Sequence, residues 1–588
     1  MIVLLLSAFQ KHPFGRMIIS FPFTCAYDKK GKSHGCGAVP RLWLDRTKKE
    51  AEMSKLFGRQ LSRRTFLGGA AAAAGLGLTA CGGNNNANNT SGTEQKGETG
   101  GGTISAGAAY STQNYDPSST SSALALGVNW QVSEGLYGMN YHDYHTFNEL
   151  ATADPQQVDD TTFEVSIRKE AKFSDGAAVT ADDVVESFKR ATAEKNIYVS
   201  MLTPIASIEK KDDATVTIKT NVPNFSLLKE RLSIVRVVPA SSNQEDMKKM
   251  PVGSGPWMYK TISDNTLDLE PNPNYNGATP AKDKALHYDI LKDPTARLTA
   301  QTDGTTLAME MVPADAIDQL KNAGCTVDTV QGFGVRFLMY NVTKAPWDNV
   351  KVRQAVLYAL DTDKMISNAL SGQAEAATCY LPSSFSNYHK AATVYTHDTD
   401  KAKSLIKDSG ITPGEVVLRT TDNEQVKNMA TQVKNDLDAL GFTVTIQTDT
   451  SPATYSAIDA ADGSWDMLLA PGDPSCFGGD TDLLLNWWYG DNIWMKTRCP
   501  WGASDEWKKL HELMDKALTQ SGADQQSTWN ECFDIIAENV PLYPVLFAKT
   551  STASWSEKPN GNGVALQGFK GIGTTGMSFI DVNTVTQK

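Results

Sequence analysis

The chain lacks the residue patterns that announce most enzymes. No Walker phosphate loop, G-x-S-x-G elbow or H-E-x-x-H helix occurs in its 588 residues, so P-loop, serine-hydrolase and zincin chemistry are without their usual signatures. Histidine is scarce and scattered, with eight in all; the eight cysteines form no C-x-x-C, and none has a histidine at metal-ligand spacing. A zinc site is therefore disfavoured. No basic stripe stands out and the formal net charge is −12, which argues against nucleic acid as a partner. There is no internal repeat. After the N-terminal region no apolar run approaches the roughly 20 residues a membrane-spanning helix needs.

What is present begins with an unusual N-terminal region. The stretch "SRRTFLGGAAAAAGLGLTAC" (residues 62–81) joins an Arg pair to an apolar run too short and too rich in Gly and Ala to span a bilayer. A basic start, a short apolar stretch and small residues before a cleavage point describe an export signal. Arg63 and Arg64 resemble the twin-arginine address, which is read by a receptor and is not an anchor. Leu78-Thr79-Ala80-Cys81 resembles a lipobox, which implies cleavage before Cys81 and lipid on its sulfur. The segment 81–102, "CGGNNNANNTSGTEQKGETGGG", has too few apolar residues to repay the entropy of ordering and reads as a flexible tether. Met53 opens a signal of ordinary length, so residues 1–52 are expected to be an upstream extension from a mis-assigned start, with 53–80 as the signal peptide.

The remainder, from residue 103 onward, is long enough for two or three packed lobes. Thr162-Phe163-Glu164-Val165-Ser166-Ile167 alternates as a half-buried strand. In "VTADDVVESFKRA", Thr180 and Asp183 are spaced as a capping box before a helix, so Asp182 and Asp183 read as capping groups rather than a catalytic pair. The run "DNVKVRQAVLYALDTDKMI" carries Val352, Ala355, Val356, Ala359 and Leu360 at helical spacing. "GEVVLRT", "EQVKNMATQVKNDLDAL" and "FTVTIQ" form a strand–helix–strand unit, which predicts a parallel pair. "DTDKAKSLIKDSG" reads as a helix closed by Gly410. The fold class is α/β.

These segments together resemble the family 5 extracellular solute-binding proteins, receptors of oligopeptide-, dipeptide- and nickel-type ABC importers. The resemblance is carried in chain order by "NYDPSS", "VSEGLYG", "TFEVSIRKEAKFSDGAAVTADDVVESFKRA", "PVGSGPWMYK", "PNPNYNG", "FLMYNVTKAPWDNVKVRQAVLYALDTDKMI" and "VPLYPVLFAKTS". It implies a bilobal periplasmic-binding-protein fold (type II, cluster C) with an extra subdomain. Lobe I would comprise 103–142, 250–338 and 542–588, the subdomain 143–249, and lobe II 339–541. It implies no cofactor, no metal and no catalysis. It implies instead a small-molecule or peptide ligand in the interlobe cleft, an ABC permease as membrane partner, a monomer, and a place on the extracytoplasmic face of the cell membrane. Tyr340 and Asn341 fall where the lobes would hinge. Gly253, Gly255 and Pro256 would set a tight turn, and Arg353 would anchor a helix.

The chain departs from a generic member at residues 464–501. The peptide-binding relatives place an Asp against the ligand's α-ammonium in the loop beginning here at "APGDPSCFGGDTD". Asp473 is the nearest candidate for that role, with Asp480 and Asp482 as alternatives; each would otherwise cap a turn. Five of the chain's 12 tryptophans lie in this segment, Trp465, Trp487, Trp488, Trp494 and Trp501. Trp487, Trp488 and Trp494 are candidates for a cleft wall that would suit peptide side chains or sugar rings, although at least two of the five are expected in the core. Tyr110, Glu134 and Tyr137 are further candidates from the N-terminal pocket strands. Cys476 and Cys499 flank the segment, and export makes a disulfide between them chemically possible. An oligopeptide receptor leads the functional readings, ahead of an oligosaccharide, nickel-chelate or other solute receptor, and ahead of an exported enzyme or adhesin.

Overall fold

In the computed structural model the described residues are 102–194, 196–460, 465–557, 559, 565–567, 569 and 586–587. Arg63, Arg64, Cys81 and the tether lie outside them, so the export, lipidation and start-site expectations have no structural counterpart here. Among the described residues no helix is long and apolar enough to cross a membrane.

The backbone is organised by two long strands, Thr326–Tyr340 and Leu542–Ser554, which pair antiparallel along most of their length. Leu338 to Tyr340 and Leu542 to Ala548 are buried, and both strands are rich in β-branched and aromatic residues, which suit a covered pleated surface. They carry two groups of shorter strands in one 11-stranded sheet. On one side lie Ala308–Met309, Thr103–Ala108, Ala285–Ile290, Thr266–Pro271 and Trp257–Ile262 in that spatial order. On the other lie Met467–Gly472, Glu415–Thr421 and Thr443–Asp449. We refer to these as the first and second halves of the sheet. A separate four-stranded antiparallel sheet contains Gln156–Asp159, Thr162–Ser166, Thr215–Thr220 and Ile205–Asp212.

The local sequence signals are realised as physical features. Glu415–Thr421 and Thr443–Asp449 pair parallel, with Val416 opposite Val444 and the helix Glu424–Asp438 between them in sequence. Helix Ala181–Ala191 opens with the Thr180–Asp183 capping box, the Asp183 carboxylate accepting from Thr180 N at 2.8 Å. Helix Thr399–Ser409 ends at Gly410 with φ 72°. The run 349–366 is two helices rather than one, Val350–Ala359 and Thr362–Leu370. Leu360 turns extended at ψ 123° and Asp361 caps the second helix by accepting from Lys364 N. That local hydrogen bond competes with continuing the first helix. Arg353 ties the first of these helices to the end of another, donating to the carbonyls of Asn539 at 2.7 Å and Trp347 at 2.6 Å.

The glycines of "PVGSGPW" act by close approach. A Cβ on Gly253 would stand 2.1 Å from the Val132 carbonyl oxygen, and one on Gly255 would stand 2.5 Å from that of Gln131. Both lie against the C-terminal end of helix Ala123–Val132, where Gly255 N donates to Val132 O at 2.8 Å. Only a residue without a side chain lets the backbone approach so near. Gly253→Ala is therefore expected to shift this contact and to destabilise the protein by about 1–3 kcal/mol, read as a lower Tm with native far-ultraviolet circular dichroism.

Candidate functional site

The pairing of the two long strands slips between Gln331 and Val335, and side chains from both halves of the sheet converge beside that slip. Gly334 lies within it, its Cα so near the partner strand that a Cβ would be 2.7 Å from the Ala548 carbonyl oxygen. Because Val335 is the register partner of Gly472, the chain leaves strand Met467–Gly472 at this point and delivers Asp473. The next residue in the long strand is Arg336. From the first half, Tyr110 follows strand Thr103–Ala108, Glu310 follows Ala308–Met309, and Arg297 projects from helix Pro294–Asp303.

Tyr110 is 36% exposed, one of few large apolar side chains so open. Yet its hydroxyl is pushed up to about 12, first by the protein packed around it and then by the Glu310 carboxylate, with Arg336 and Arg297 opposing. The residue is thus partly open while the protein around its hydroxyl favours the neutral form. Glu310 accepts from the Ala109 amide. Arg297 donates to the carbonyls of Glu310, Leu291 and Met311 at 3.0, 2.6 and 3.0 Å and so ties its helix to the chain at Leu291 and at Glu310–Met311. Arg336 is 7% exposed; its Nη1 donates to the carbonyls of Gly334 and Val335 at 3.1 Å each, and its Nε and Nη2 both donate to Gln425 Oε1. Asp473 is half-buried and caps the turn Pro474–Phe477, accepting from Ser475 N at 3.0 Å and Ser475 Oγ at 2.6 Å.

Asp480 and Asp482 have a different environment. Both bind Arg231, which is fully buried in the short helix Leu228–Leu232; its Nη2 lies 2.7 Å from an oxygen of each. Asp480 also caps helix Thr481–Tyr489 through Leu483 N, and Asp482 accepts from Asn486. One guanidinium thus serves two carboxylates across a contact between the 205–232 region and the second half of the sheet. Burial pushes the Asp482 carboxyl up to about 7, partly offset by Arg231 and reinforced by Asp480.

Next to this contact lies a small aromatic-lined cavity bounded by Pro117, Leu126, Trp130, Tyr198, Arg236 and Phe477, among others. The Arg236 guanidinium sits 3.7 Å from the Trp130 ring centroid, and Phe477 packs on Tyr198 at 5.3 Å and on Trp487 at 5.7 Å.

Several expected site residues are placed elsewhere. Trp488 and Trp494 are core residues at 2% and 8% exposure. Trp488 packs on Phe337 and Trp494, and the Trp494 ring carries Arg498 at 4.4 Å. Trp465 and Trp501 are buried as well, so Trp487 is the one member of the aromatic run that is only partly covered. Glu134 is buried in a two-point pair with Arg168, both bonds 3.1 Å. Tyr137 is buried, donates to Ala153 O at 2.8 Å and lies under Lys229. Cys476 and Cys499 are free thiols, which corrects the disulfide expectation. They face different carbonyls, Asp473 O and Pro541 O, and burial pushes the Cys499 thiol up to about 12. Tyr340 and Asn341 lie past the slip rather than at it. Tyr340 stacks on Trp347, and Asn341 bonds to the backbone of Trp465 and Asp466.

Sequence reasoning missed Arg231, Arg297, Glu310, Gln425 and Arg336. For Arg336 a signal existed: a lone charge within "GFGVRFLMY", a run otherwise apolar. Among the described residues no cluster of His, Cys, Asp and Glu could hold a metal ion.

Comparison with known proteins agrees with this architecture. The model of the bacterial extracellular solute-binding proteins, family 5 Middle, matches residues 147–496. The heme-binding protein A of Haemophilus influenzae is 27% identical over 474 residues, 73% of this chain and 80% of that protein. A dipeptide-binding protein from Pseudoalteromonas sp. SM9913, solved with Met-Leu, superposes with a TM-score of 0.71 at 19% identity and covers 83% of this chain and 100% of its own. The oligopeptide-binding protein AppA of Bacillus subtilis, solved with a nonapeptide, gives 0.69 at 19% identity, covering 84% and 100%. At these identities the solved structures establish a shared bilobal fold.

The Arg231 cluster yields a pH prediction. The native state holds the Asp482 proton up to about 7, whereas an unfolded Asp releases it near 3.9. The carboxyl's contribution to stability is therefore greatest at low pH and is lost as pH rises through that window. Asp482→Asn should gain in Tm relative to wild type as pH rises from about 4 to about 7, and a pH-independent difference would contradict this.

Proposed function

The chain belongs to the bacterial extracellular solute-binding proteins of family 5, transport receptors rather than enzymes, and from that premise we propose that it captures oligopeptides. The peptide would bind between the two halves of the sheet and be passed to the membrane permease of an ABC importer. The observation that carries this reading is the convergence of both signs of charge on one accessible tyrosine. Arg336 and Asp473 arrive from the slip and the second half, and Glu310 and Arg297 from the first, all within electrostatic reach of Tyr110. A short peptide presents an ammonium, a carboxylate and a polar backbone, and such a site can meet all three.

Within this proposal Asp473 is the ammonium contact, because Arg231 already neutralises Asp480 and Asp482. Trp487, with Phe477 and Tyr198 behind it, forms the apolar wall. With Trp488 and Trp494 inside the core, the sugar-stacking alternative loses its main support. Lobe I comprises 103–142, 250–338 and 542–588, the subdomain 143–249, and lobe II 339–541. The hinge we assign to the slip at Gln331–Val335 and its partner residues Phe547–Lys549, in place of Tyr340 and Asn341. Closure then brings Arg231 to Asp480 and Asp482, which latch the lobes together. Lipid on Cys81 and the polar tether hold a monomeric receptor at the extracytoplasmic face of the membrane, after twin-arginine export.

Native mass spectrometry of the chain from Gly82, purified without denaturation, tests the reading. Co-purifying peptides of mixed sequence are expected, and Asp473→Ala should weaken their retention about tenfold or more, the scale of one lost charge-assisted hydrogen bond. A uniform series of hexose masses would contradict it.

A further inference from the structure

A hairpin outside the large sheet reaches the second half by a route that the long strands do not supply. Strands Tyr137–Met139 and Thr146–Asn148 pair antiparallel. Their base is fixed by its own neighbours: Tyr137 donates to Ala153 O at 2.8 Å, and the Glu149 carboxylate accepts from Gly135 N at 2.6 Å and holds Arg236 at 2.8 Å. Tyr141 packs edge-on against Trp130 at 5.0 Å. The turn 140–145 is closed by Asn140 N donating to His145 O at 2.9 Å and Tyr144 N donating to Asn140 O at 2.8 Å. It holds Tyr144 at φ 59°, a left-handed conformation that Gly or Asn fills at lower cost than a bulky aromatic residue. Strain kept at such a residue directs attention to where its side chain is sent.

The Tyr144 ring crosses to the second half. It lies 5.5 Å from the Phe385 ring, and so close over Gly479 that a Cβ there would be 2.7 Å from Tyr144 Cδ2. Gly479 belongs to the loop that leaves strand Met467–Gly472, and the next residue, Asp480, is held by Arg231. Phe385 leads back to the slip. Its ring is 5.8 Å from that of Phe333, which is 5.7 Å from Phe547, and Ser384 Oγ donates to Gln331 O at 3.2 Å. Phe333 lies inside the slip, where Gly332, Phe333 and Gly334 face Ala548 alone, and Phe547 is the partner of Val335 at its edge. Phe333, Phe385 and Phe547 are buried. A change of angle at the slip therefore has to move a close-packed chain of rings that ends at the hairpin tip.

Resting on the reading of the slip as the hinge, we propose that the hairpin 137–148 is a clasp: Tyr144 seats on Phe385 and Gly479 when the halves close, and the rings of Phe385, Phe333 and Phe547 couple that seat to the angle at the slip. The clasp touches the protein on both sides and slows reopening whatever the ligand is. Glycine at 479 leaves room for the ring, and the left-handed backbone at Tyr144 aims it there. The seat and the Arg231 contact grip the same loop at adjacent residues, Gly479 and Asp480.

Hydrogen exchange read by mass spectrometry tests the clasp on the chain from Gly82, stripped of ligand and then given a pool of short synthetic peptides. In wild type the pool should slow exchange in the turn 140–145, at 478–479, and across the slip at 331–335 and 547–549. Tyr144→Ala, and Gly479→Ala, which puts a methyl group where the ring lies, should each speed exchange of the bound state across the slip about tenfold or more. Tyr144→Phe, which keeps a ring on the seat, should retain most of the protection. In a Phe385→Leu background, Tyr144→Ala should add little at the slip, because the ring chain is already broken. Faster exchange confined to 140–145 and 478–479 describes a local cover and overturns the proposal. Wild-type protection of the slip in both Tyr144→Ala and Gly479→Ala also overturns it, and leaves closure about the slip intact. A pool that protects no segment of wild type overturns the closure reading and the clasp together. The Tm of each variant reports whether it has folded, and the two single variants disturb the seat from opposite sides.

Discussion

The antiparallel pairing of Thr326–Tyr340 with Leu542–Ser554 is the constraint on which the rest of the molecule depends. The two strands lie between the halves of the sheet, so the strand groups on either side are joined through one paired ladder. A ladder of this kind resists sliding but tolerates bending where its pairing is interrupted, and it is interrupted between Gln331 and Val335 and again between Arg336 and Phe337. The candidate site sits at the first of these. Strand Met467–Gly472 ends opposite Val335 and releases Asp473, and Arg336 is the next residue of the long strand. Under the proposed function, bending and recognition share one locus.

Buried charge organises the second level of the structure. Arg231 with Asp480 and Asp482, Arg168 with Glu134, and Arg236 with Glu149 each join segments far apart in sequence. Removing one partner of such a pair leaves a desolvated charge, which typically costs about 3–5 kcal/mol. These pairs fix which surfaces meet more than they add net stability. The Arg231 cluster is the most consequential, since it joins the region around Leu228–Leu232 to the helix that begins the aromatic run. Burial is what raises Asp482, with Arg231 opposing and Asp480 adding to it.

Much of the fold was legible because its signals are local. The capping box at Thr180, the parallel unit across Glu424–Asp438 and the helix stop at Gly410 each depend on residues a few positions apart. The site was less legible because its members come together through the sheet. Asp480 and Asp482 look like free acids in "GGDTDLLL", and nothing local reveals that Arg231, some 250 positions earlier, neutralises both. The tryptophans misled for a related reason: an aromatic-rich helix can line a cleft or fill a core with the same composition, and packing against Phe337 decided for the core at Trp488 and Trp494. Cys476 and Cys499 bracket the loop in sequence but face different carbonyls in space.

The measurement that tests the central claim most directly is the distance between spin labels at Val158 and Ile493, both exposed and on opposite sides of the Arg231 contact, in the ligand-stripped mature chain. If a ligand closes the halves about the Gln331–Val335 slip, adding a pool of short peptides should shorten and narrow the distribution, and Asp473→Ala should blunt that change. The same distribution with and without peptide, in a sample that demonstrably binds it, would contradict closure about that point.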